Sequence, residues 1–196
     1  NGIPARQSIR VISNQFAPDE KASPSVIDML FTLGHAGNDF SQYWANWIDL
    51  EENYRPVLHY YLGDVEQRSP YAFHRIKNLG TALEVYHRKS TGERDTYLRD
   101  RIKGLCDQQP EAIKRILGDS SALAEKASDS RNYYTHYDRD YSQGVKDEIV
   151  SASKVRILLT SVLLRHIGFS NDAIDQLVTK PPTGAHFRLP QIVDYA

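Results

Sequence analysis

The chain has 196 residues, which suits one domain and is long enough to bury a substantial hydrophobic core. Its 40% hydrophobic and 25% charged content is that of an ordinary globular domain, which excludes a low-complexity or fibrous chain. The formal net charge of -1 excludes a global basic field, and this counts against a protein whose main task is to hold a nucleic-acid duplex.

In chain order, three regions are predicted. Residues 1–38 have little periodicity and are expected to form a lead-in or linker with one short helix, from about Ser25 to Leu33. Residues 39–180 are expected to form a helical domain, and residues 181–196 a proline-containing C-terminal tail. Because the first residue is Asn1 rather than Met, we expect a piece of a longer protein whose upstream regulatory domain is missing.

Apolar residues recur at three- and four-residue steps through most of the helical domain. The first long helix is expected from Asp39 to about Gly63, bent around Pro56. Further helices are expected near 70–90, 95–108, 110–117, 145–167 and 171–178, and another is expected to follow a cap at Ser120-Ser121. The 145–167 helix is nearly apolar around residues 157–159 and 162–164, so we place it at the centre. The predicted fold class is an all-α, up-and-down helical bundle.

Cysteine usage and hydropathy bear on location. Cys106 is the only cysteine, which excludes an internal disulfide and a cysteine-rich metal site, and its apolar neighbours predict a core position. No run of 18 apolar residues and no signal peptide is found in the sequence. We therefore expect a cytoplasmic protein with no membrane partner.

The charge is unevenly distributed along the chain. Residues 19–66 hold two basic and nine acidic residues, whereas residues 71–117 hold ten basic and six acidic ones. One interpretation is an RNA-facing surface on the second block, formed by Arg75, Lys77, Arg88, Lys89, Arg94, Arg99, Arg101 and Lys103. The alternative is a solvated helix surface with local pairs such as Asp95 with Arg99.

The most informative stretch is Arg131-Asn132-Tyr133-Tyr134-Thr135-His136. It combines a permanent cation with a group that titrates near neutral pH, which are the parts needed to cleave a phosphodiester without a metal. On a helix Asn132 and His136 share a face, and Asn132 could fix the imidazole tautomer or bind a backbone group. The alternative is a surface Arg131 and a structural His136.

The sequence lacks a phosphate-binding loop, a His-Glu-x-x-His motif and a Gly-x-Ser-x-Gly motif, so no metal and no cofactor are expected. Attack by an RNA 2′-hydroxyl needs one group to remove a proton and another to protonate the leaving oxygen, yet this motif offers only His136. A two-fold homodimer with a composite active site would bring two copies together. Its substrate would be single-stranded or looped RNA.

Two stretches carry a family resemblance. Arg131-Asn132-Tyr133-Tyr134-Thr135-His136 resembles the Arg-polar-x3-His motif of the HEPN superfamily of helical ribonucleases. The segment 71–88, which ends in Leu83, Glu84, Tyr86, His87 and Arg88, resembles the helix before that motif in the ApeA-like branch. The resemblance covers roughly residues 40–180.

The resemblance implies a dimeric helical bundle, metal-independent endoribonuclease activity and a role in antiphage defence by abortive infection. It matches Arg131, Asn132 and His136 to the catalytic positions. Whether Glu84 and His87 support the site or the bundle is left open, and Glu84 could instead pair with Arg88. Candidate RNA-binding residues are Arg88, Lys89 and Arg139, with tRNA among the candidate substrates.

One departure from the family concerns regulation. HEPN toxins that are silenced by adenylylation carry a Tyr two residues after the motif His, where this chain has Asp138. We therefore do not expect that form of regulation. The alternative function is a non-catalytic, HEPN-like dimerisation or sensing module in which Arg131 and His136 serve an interface.

Overall fold

A computed structural model describes residues 37–67, 72–136 and 144–179, and every regular element among them is helical. A 3₁₀ turn, Gly37–Asp39, leads into eight α-helices. These are α1 (Phe40–Asn53), α2 (Arg55–Gln67), α3 (Ala72–Thr91), α4 (Leu98–Asp107), α5 (Glu111–Leu117), α6 (Ser120–His136), α7 (Val145–Ile167) and α8 (Asn171–Thr179). The all-α helical bundle is confirmed. The predicted helix at 25–33 and the tail at 181–196 lie outside the described residues.

The single helix predicted from Asp39 to Gly63 was wrong, because two helices occupy this stretch and the second continues to Gln67. The break falls at Tyr54, between Asn53 and Arg55. Pro56 therefore lies in the first turn of α2, where its missing N–H costs no helical hydrogen bond. The expected bend at this proline is instead a new helix start.

The cap predicted at Ser120-Ser121 was also misplaced. Asp119 caps α6, because its Oδ1 accepts the backbone N–H of Ser121 at 2.8 Å and that of Ala122 at 3.1 Å. The preceding Gly118 has a φ of 75°, a left-handed conformation that lets the chain leave α5. This cap fixes the start of the helix that carries the Arg-Asn-His motif.

Helix α7 lies at the centre of the bundle, as its apolar sequence predicts, and packs against α1, α3, α4, α5, α6 and α8. Its buried side chains include Val155, Ile157, Leu158, Leu159 and Val162. It ends at Gly168, whose φ is 116° and where an added Cβ would lie 3.2 Å from Tyr43 and Asn46 of α1. A side chain there would strain both the backbone and the contact of α7 with α1.

The core position predicted for Cys106 is confirmed, since this residue is buried and burial raises its thiol pKa to about 12. Such a thiol stays protonated at neutral pH and does not act as a nucleophile. The structure also buries a carboxylate that the sequence did not single out. Asp64 of α2 lies 2.9 Å from Nε of Arg75 on α3 and 3.5 Å from Nε of Arg156 on α7.

The basic block at 71–117 is only partly a surface. Arg75 pairs with the buried Asp64, and Arg101 is 1% exposed, so neither belongs to an RNA-facing surface. The suggested partner of Arg99 also differs, because the carboxylate paired with it is that of Asp100, at 3.9 Å, rather than Asp95. Among the described residues, no helix is both long and apolar enough to cross a membrane.

Candidate active site

The guanidinium of Arg131 is held by two side chains. Its Nη2 donates to Oε2 of Glu84 on α3 at 2.6 Å, and its Nη1 donates to Oδ1 of the adjacent Asn132 at 3.1 Å. The side chains of Arg131 and Glu84 are 22% and 23% exposed, so the pair is shielded from most of the solvent. Two separate anchors fix both the position and the plane of this cation.

A glycine on α3 makes room for Arg131. A Cβ added to Gly80 would lie 3.6 Å from both Cβ and Cγ of Arg131. Gly80 is buried one turn before Glu84, on the side of α3 that packs against α6. The base of the Arg131 side chain therefore lies against bare backbone, while its charged end reaches Glu84.

The structure shows which arginine is the main partner of Glu84. Its carboxylate lies 2.6 Å from Nη2 of Arg131 but 3.9 Å from Nη1 of Arg88, so Arg131 is the closer and better-placed partner. The intrahelical pair with Arg88 is an exposed, long contact that contributes little. Glu84 thus joins α3 to the arginine of the motif on α6.

His136 is exposed and is the last described residue of α6. An ideal helix turns 100° per residue, so His136 lies about 140° around the axis from Arg131 and about 40° from Asn132. Asn132 lies on the same face of α6 as His136, and its Oδ1 accepts a hydrogen bond from Arg131. It therefore lies between the arginine and the histidine of the motif. This contact with Arg131 is one that the sequence did not suggest for Asn132.

His87 does not join the candidate site. Its Nδ1 accepts a 2.9 Å hydrogen bond from Nη1 of Arg101, a buried cation that also donates to the carbonyls of Thr96 and Arg94. Burial, and then the charge of Arg101, lower the pKa of His87 below its ordinary value. Its role in the described structure is to satisfy Arg101 and to tie the connection before α4 to α3.

The three RNA-binding candidates occupy different places. Arg88 is exposed and shares Glu84 with Arg131. Lys89 donates to the carbonyl of Asn53 and lies 5.8 Å from the ring of Tyr54, so it points toward the junction of α1 and α2. Arg139 lies outside the described residues. Of the two candidates that the structure describes, Arg88 is the one that shares a partner with Arg131.

Sequence reasoning missed Gly80 and the anchoring of Tyr134. The hydroxyl of Tyr134 donates to Oε1 of the buried Glu148 on α7 at 2.6 Å, and its ring stacks on Phe73 of α3. The sequence offered one signal for Gly80, a glycine inside a helical pattern. Within the described parts of the chain, no group of three or more His, Cys, Asp or Glu residues could hold a metal ion.

Comparison with known proteins gives one match. The family model described as Apea-like HEPN matches residues 78–173, a segment that contains both Glu84 and the stretch Arg131 to His136. No curated protein and no solved structure matches the chain. HEPN domains are generally ribonucleases and are associated with antiphage defence. The chain therefore carries an Apea-like HEPN domain at residues 78–173.

Proposed function

We propose that this protein is a metal-independent endoribonuclease in which Arg131, Asn132 and His136 form the catalytic group. The observation that carries the proposal is the anchoring of Arg131 by Glu84 and Asn132, within a domain of a family that is generally ribonucleolytic. The two contacts fix the guanidinium of Arg131 in position and plane, and the exposed His136 follows on the same helix. This is the preorganisation that phosphoryl chemistry requires.

The reaction is an internal transesterification of RNA. The ribose 2′-oxygen attacks the adjacent phosphorus, the O2′–P bond forms and the P–O5′ bond breaks, which leaves a 2′,3′-cyclic phosphate and a 5′-hydroxyl. One general base takes the 2′-hydroxyl proton and one general acid protonates the leaving 5′-oxygen. His136 is suited to either role because one imidazole nitrogen can accept a proton and the other can donate one. Arg131 offsets the charge that develops on the phosphorane oxygens.

The Glu84 pair adjusts how Arg131 performs this role. A guanidinium carries five N–H donors, and the contacts with Glu84 and Asn132 use two of them. Nε is buried, so the remaining N–H groups of Nη1 and Nη2 are the ones that can bind phosphate oxygens while Glu84 keeps the group in place. The negative charge of Glu84 offsets part of the positive charge of Arg131, so the contribution of Glu84 to the reaction is the orientation of the guanidinium rather than added charge.

A composite site in a homodimer supplies the second proton-transfer group. The motif provides one histidine per chain, and a two-fold axis near α6 would place two copies of His136 and Arg131 in one cleft. Single-stranded or looped RNA, tRNA among them, is the proposed substrate, because a flexible ribose can reach in-line geometry. Cleavage would serve abortive-infection antiphage defence, a setting with which the family is associated.

One observation favours the alternative of a non-catalytic dimerisation or sensing module. The charge of Arg131 is matched by Glu84 at 2.6 Å, which is also how a purely structural arginine would be satisfied. In that case the Arg131–Glu84 pair would hold α6 on α3, and His136 would serve a contact surface. The two functions differ in what His136 does, and this makes the experiment straightforward.

The test is cleavage of total tRNA in EDTA by the wild type, His136→Ala and His59→Ala. His59 lies on α2 and is exposed like His136, so it controls for the loss of a surface imidazole. We expect cleavage by the wild type and His59→Ala, and at least a hundredfold loss in His136→Ala. Because His136 is exposed, its replacement should change the free energy of unfolding by less than about 0.5 kcal/mol. RNA left intact by the wild type, or equal cleavage by His136→Ala, would contradict the proposal.

A further inference from the structure

Four aromatic rings form a continuous row, which we call the aromatic row, from the first turns of α3 to the motif on α6. The rings of His74 and Phe73 lie 4.1 Å apart between centroids, those of Phe73 and Tyr134 lie 4.8 Å apart, and those of Tyr134 and Tyr133 lie 4.9 Å apart. Phe73 and Tyr134 are stacked with 29° between their planes, and the outer two contacts are edge-on. The row therefore bridges two helices.

The two central rings of the row, Phe73 and Tyr134, are held by contacts among three helices. The hydroxyl of Tyr134 donates to the buried Glu148 at 2.6 Å, which joins the ring to α7 as well as to α3. Phe73 and Tyr134 are half-buried and hold α3 against α6. Helix packing explains these two rings. It does not explain why the row continues to Tyr133, which lies about 100° around α6 from Tyr134.

Tyr133 places the end of the row beside the candidate catalytic group. It precedes His136 by three residues and therefore lies one turn away on the same side of α6. Its position is also adjacent to Asn132, which accepts from Arg131. Tyr133 is half-buried, so part of the ring remains exposed to solvent while Tyr134 supports it edge-on.

The charge of the protein indicates what such a ring is for. Proteins that bind single-stranded RNA combine backbone electrostatics with stacking of bases on aromatic side chains. With a formal net charge of -1, this chain has little general attraction for a polyanion. An aromatic ring one turn from His136 is suited to supply affinity that does not depend on charge.

We propose that Tyr133 forms a nucleobase-binding subsite, in which a base next to the scissile phosphate of single-stranded RNA stacks on its ring. The inference rests on the proposed function, because it takes the phosphate to lie at Arg131 and His136. Stacking tolerates any base, so the subsite favours unpaired nucleotides over paired ones without reading their sequence. Its task is to hold one nucleotide so that the adjacent phosphate meets the fixed guanidinium.

The test measures binding and stacking without cleavage. The His136→Ala protein is titrated, in EDTA, into a short single-stranded RNA that contains one 2-aminopurine and a 5′ fluorescein. Anisotropy of the fluorescein gives Kd, and quenching of the 2-aminopurine reports stacking of that base. Second substitutions in this background are Tyr133→Leu, Tyr133→Met, Tyr133→Phe and Tyr133→Trp. Tyr60→Leu is the matched control, since Tyr60 is a 38% exposed tyrosine on α2.

We expect Tyr133→Leu and Tyr133→Met to raise Kd about tenfold or more and to abolish quenching. Tyr133→Phe, Tyr133→Trp and Tyr60→Leu should stay within about twofold of the parent. Two non-aromatic replacements are included so that a folding defect in one, seen as a lost thermal transition, leaves the other. Equal binding by both, or an equal loss in Tyr60→Leu, would overturn the subsite.

The wild-type protein then separates the subsite from the nuclease. Quenching by the parent that is lost in Tyr133→Leu, together with no cleavage by the wild type, would support the base subsite and overturn the nuclease. Cleavage by the wild type with an unchanged KM in Tyr133→Leu would support the nuclease and overturn the subsite. Absence of any RNA binding by His136→Ala would also overturn the subsite.

Discussion

Nη2 of Arg131 and Oε2 of Glu84 lie 2.6 Å apart and join α6 to α3 at the candidate site. Arg131 is thereby held by a residue 47 positions earlier in the chain, rather than by a neighbour on its own helix alone. The contact is short and partly shielded from solvent, which makes it stronger than an exposed ion pair. The orientation of the cation in this account depends on that carboxylate.

Two replacements of Glu84 distinguish the loss of its whole side chain from the loss of its negative charge alone. Glu84→Ala leaves a partly buried guanidinium without its main acceptor, so we expect a loss of about 1–3 kcal/mol in the free energy of unfolding. RNA cleavage should fall about tenfold to a hundredfold, because Arg131 is no longer held in place. Glu84→Gln keeps an acceptor oxygen and should lose less of both. Denaturant unfolding and initial cleavage rates provide the measurements.

A double-mutant cycle with Arg131→Ala is the control for this pair. If the two side chains act through each other, the double variant should be destabilised by less than the sum of the single variants. Additive losses of stability would mean that Glu84 does not hold Arg131. Equal activity in Glu84→Ala and the wild type would remove its positioning role.

Gly80 provides a steric test of the same site. Its added Cβ would lie 3.6 Å from Arg131, an ordinary contact, so Gly80→Ala should fit and stabilise α3 by up to about 1 kcal/mol. Gly80→Val adds two methyl groups toward Arg131 and should cost about 1–3 kcal/mol and most of the activity. Thermal unfolding and cleavage assays measure both effects.

Gly104 of α4 is the matched control, because an added Cβ there meets nothing within 4 Å. Gly104→Val should keep the wild-type cleavage rate. Unchanged activity in Gly80→Val would mean that the packing of Arg131 against α3 does not set its function.

His87 predicts a pH dependence of stability. Burial, followed by the charge of Arg101, lowers the pKa of His87 in the folded state below the ordinary value of 6.5. The unfolded chain therefore takes up this proton first as the pH falls, so protonation favours unfolding from about pH 6.5 downward. His87→Gln keeps an acceptor for Arg101 but does not titrate. Its Tm should fall less than that of the wild type between pH 8 and pH 5, and parallel curves would contradict this coupling.

A composite site predicts that an inactive chain lowers the activity of the wild-type chain it pairs with. Because the proposed site needs two copies of His136, a dimer of one wild-type chain and one His136→Ala chain should be inactive. At a fixed amount of wild-type chain, activity should therefore fall as His136→Ala chain is added and the dimers exchange. Light scattering should report a dimer at the same concentrations. Activity that stays proportional to the wild-type chain at every ratio would contradict a shared site.

The fold was largely predictable because the spacing of apolar residues along the sequence determines which segments form amphipathic helices. The apolar residues at 157–159 and 162–164 predict a central helix, and α7 occupies that place. The break at Tyr54 was not predictable from periodicity, since the apolar pattern runs through it and only the turn chemistry around Pro56 separates the helices. Asp119 was missed as the cap of α6 because the adjacent Ser120 and Ser121 are equally good capping residues.

The candidate site was predictable only in its local part. The stretch from Arg131 to His136 is contiguous and can be read as chemistry, whereas the partners of Arg131 and His87 depend on packing between helices. Glu84 and Arg131 are 47 residues apart in the chain, so the sequence alone could not show that Glu84 pairs with Arg131 more closely than with Arg88. The sequence places Arg101 among surface cations, yet its side chain is buried and donates a hydrogen bond to Nδ1 of His87.

The most direct test of the central claim is the chemistry of the cleaved ends. A single-stranded RNA is digested by the wild type in EDTA beside the same RNA carrying one 2′-deoxyribose at the cleaved nucleotide. The account predicts 2′,3′-cyclic phosphate and 5′-hydroxyl ends from the first RNA and no cleavage at the deoxy position in the second. Products with 5′-phosphate ends, or cleavage at the deoxy nucleotide, would contradict attack by the 2′-hydroxyl.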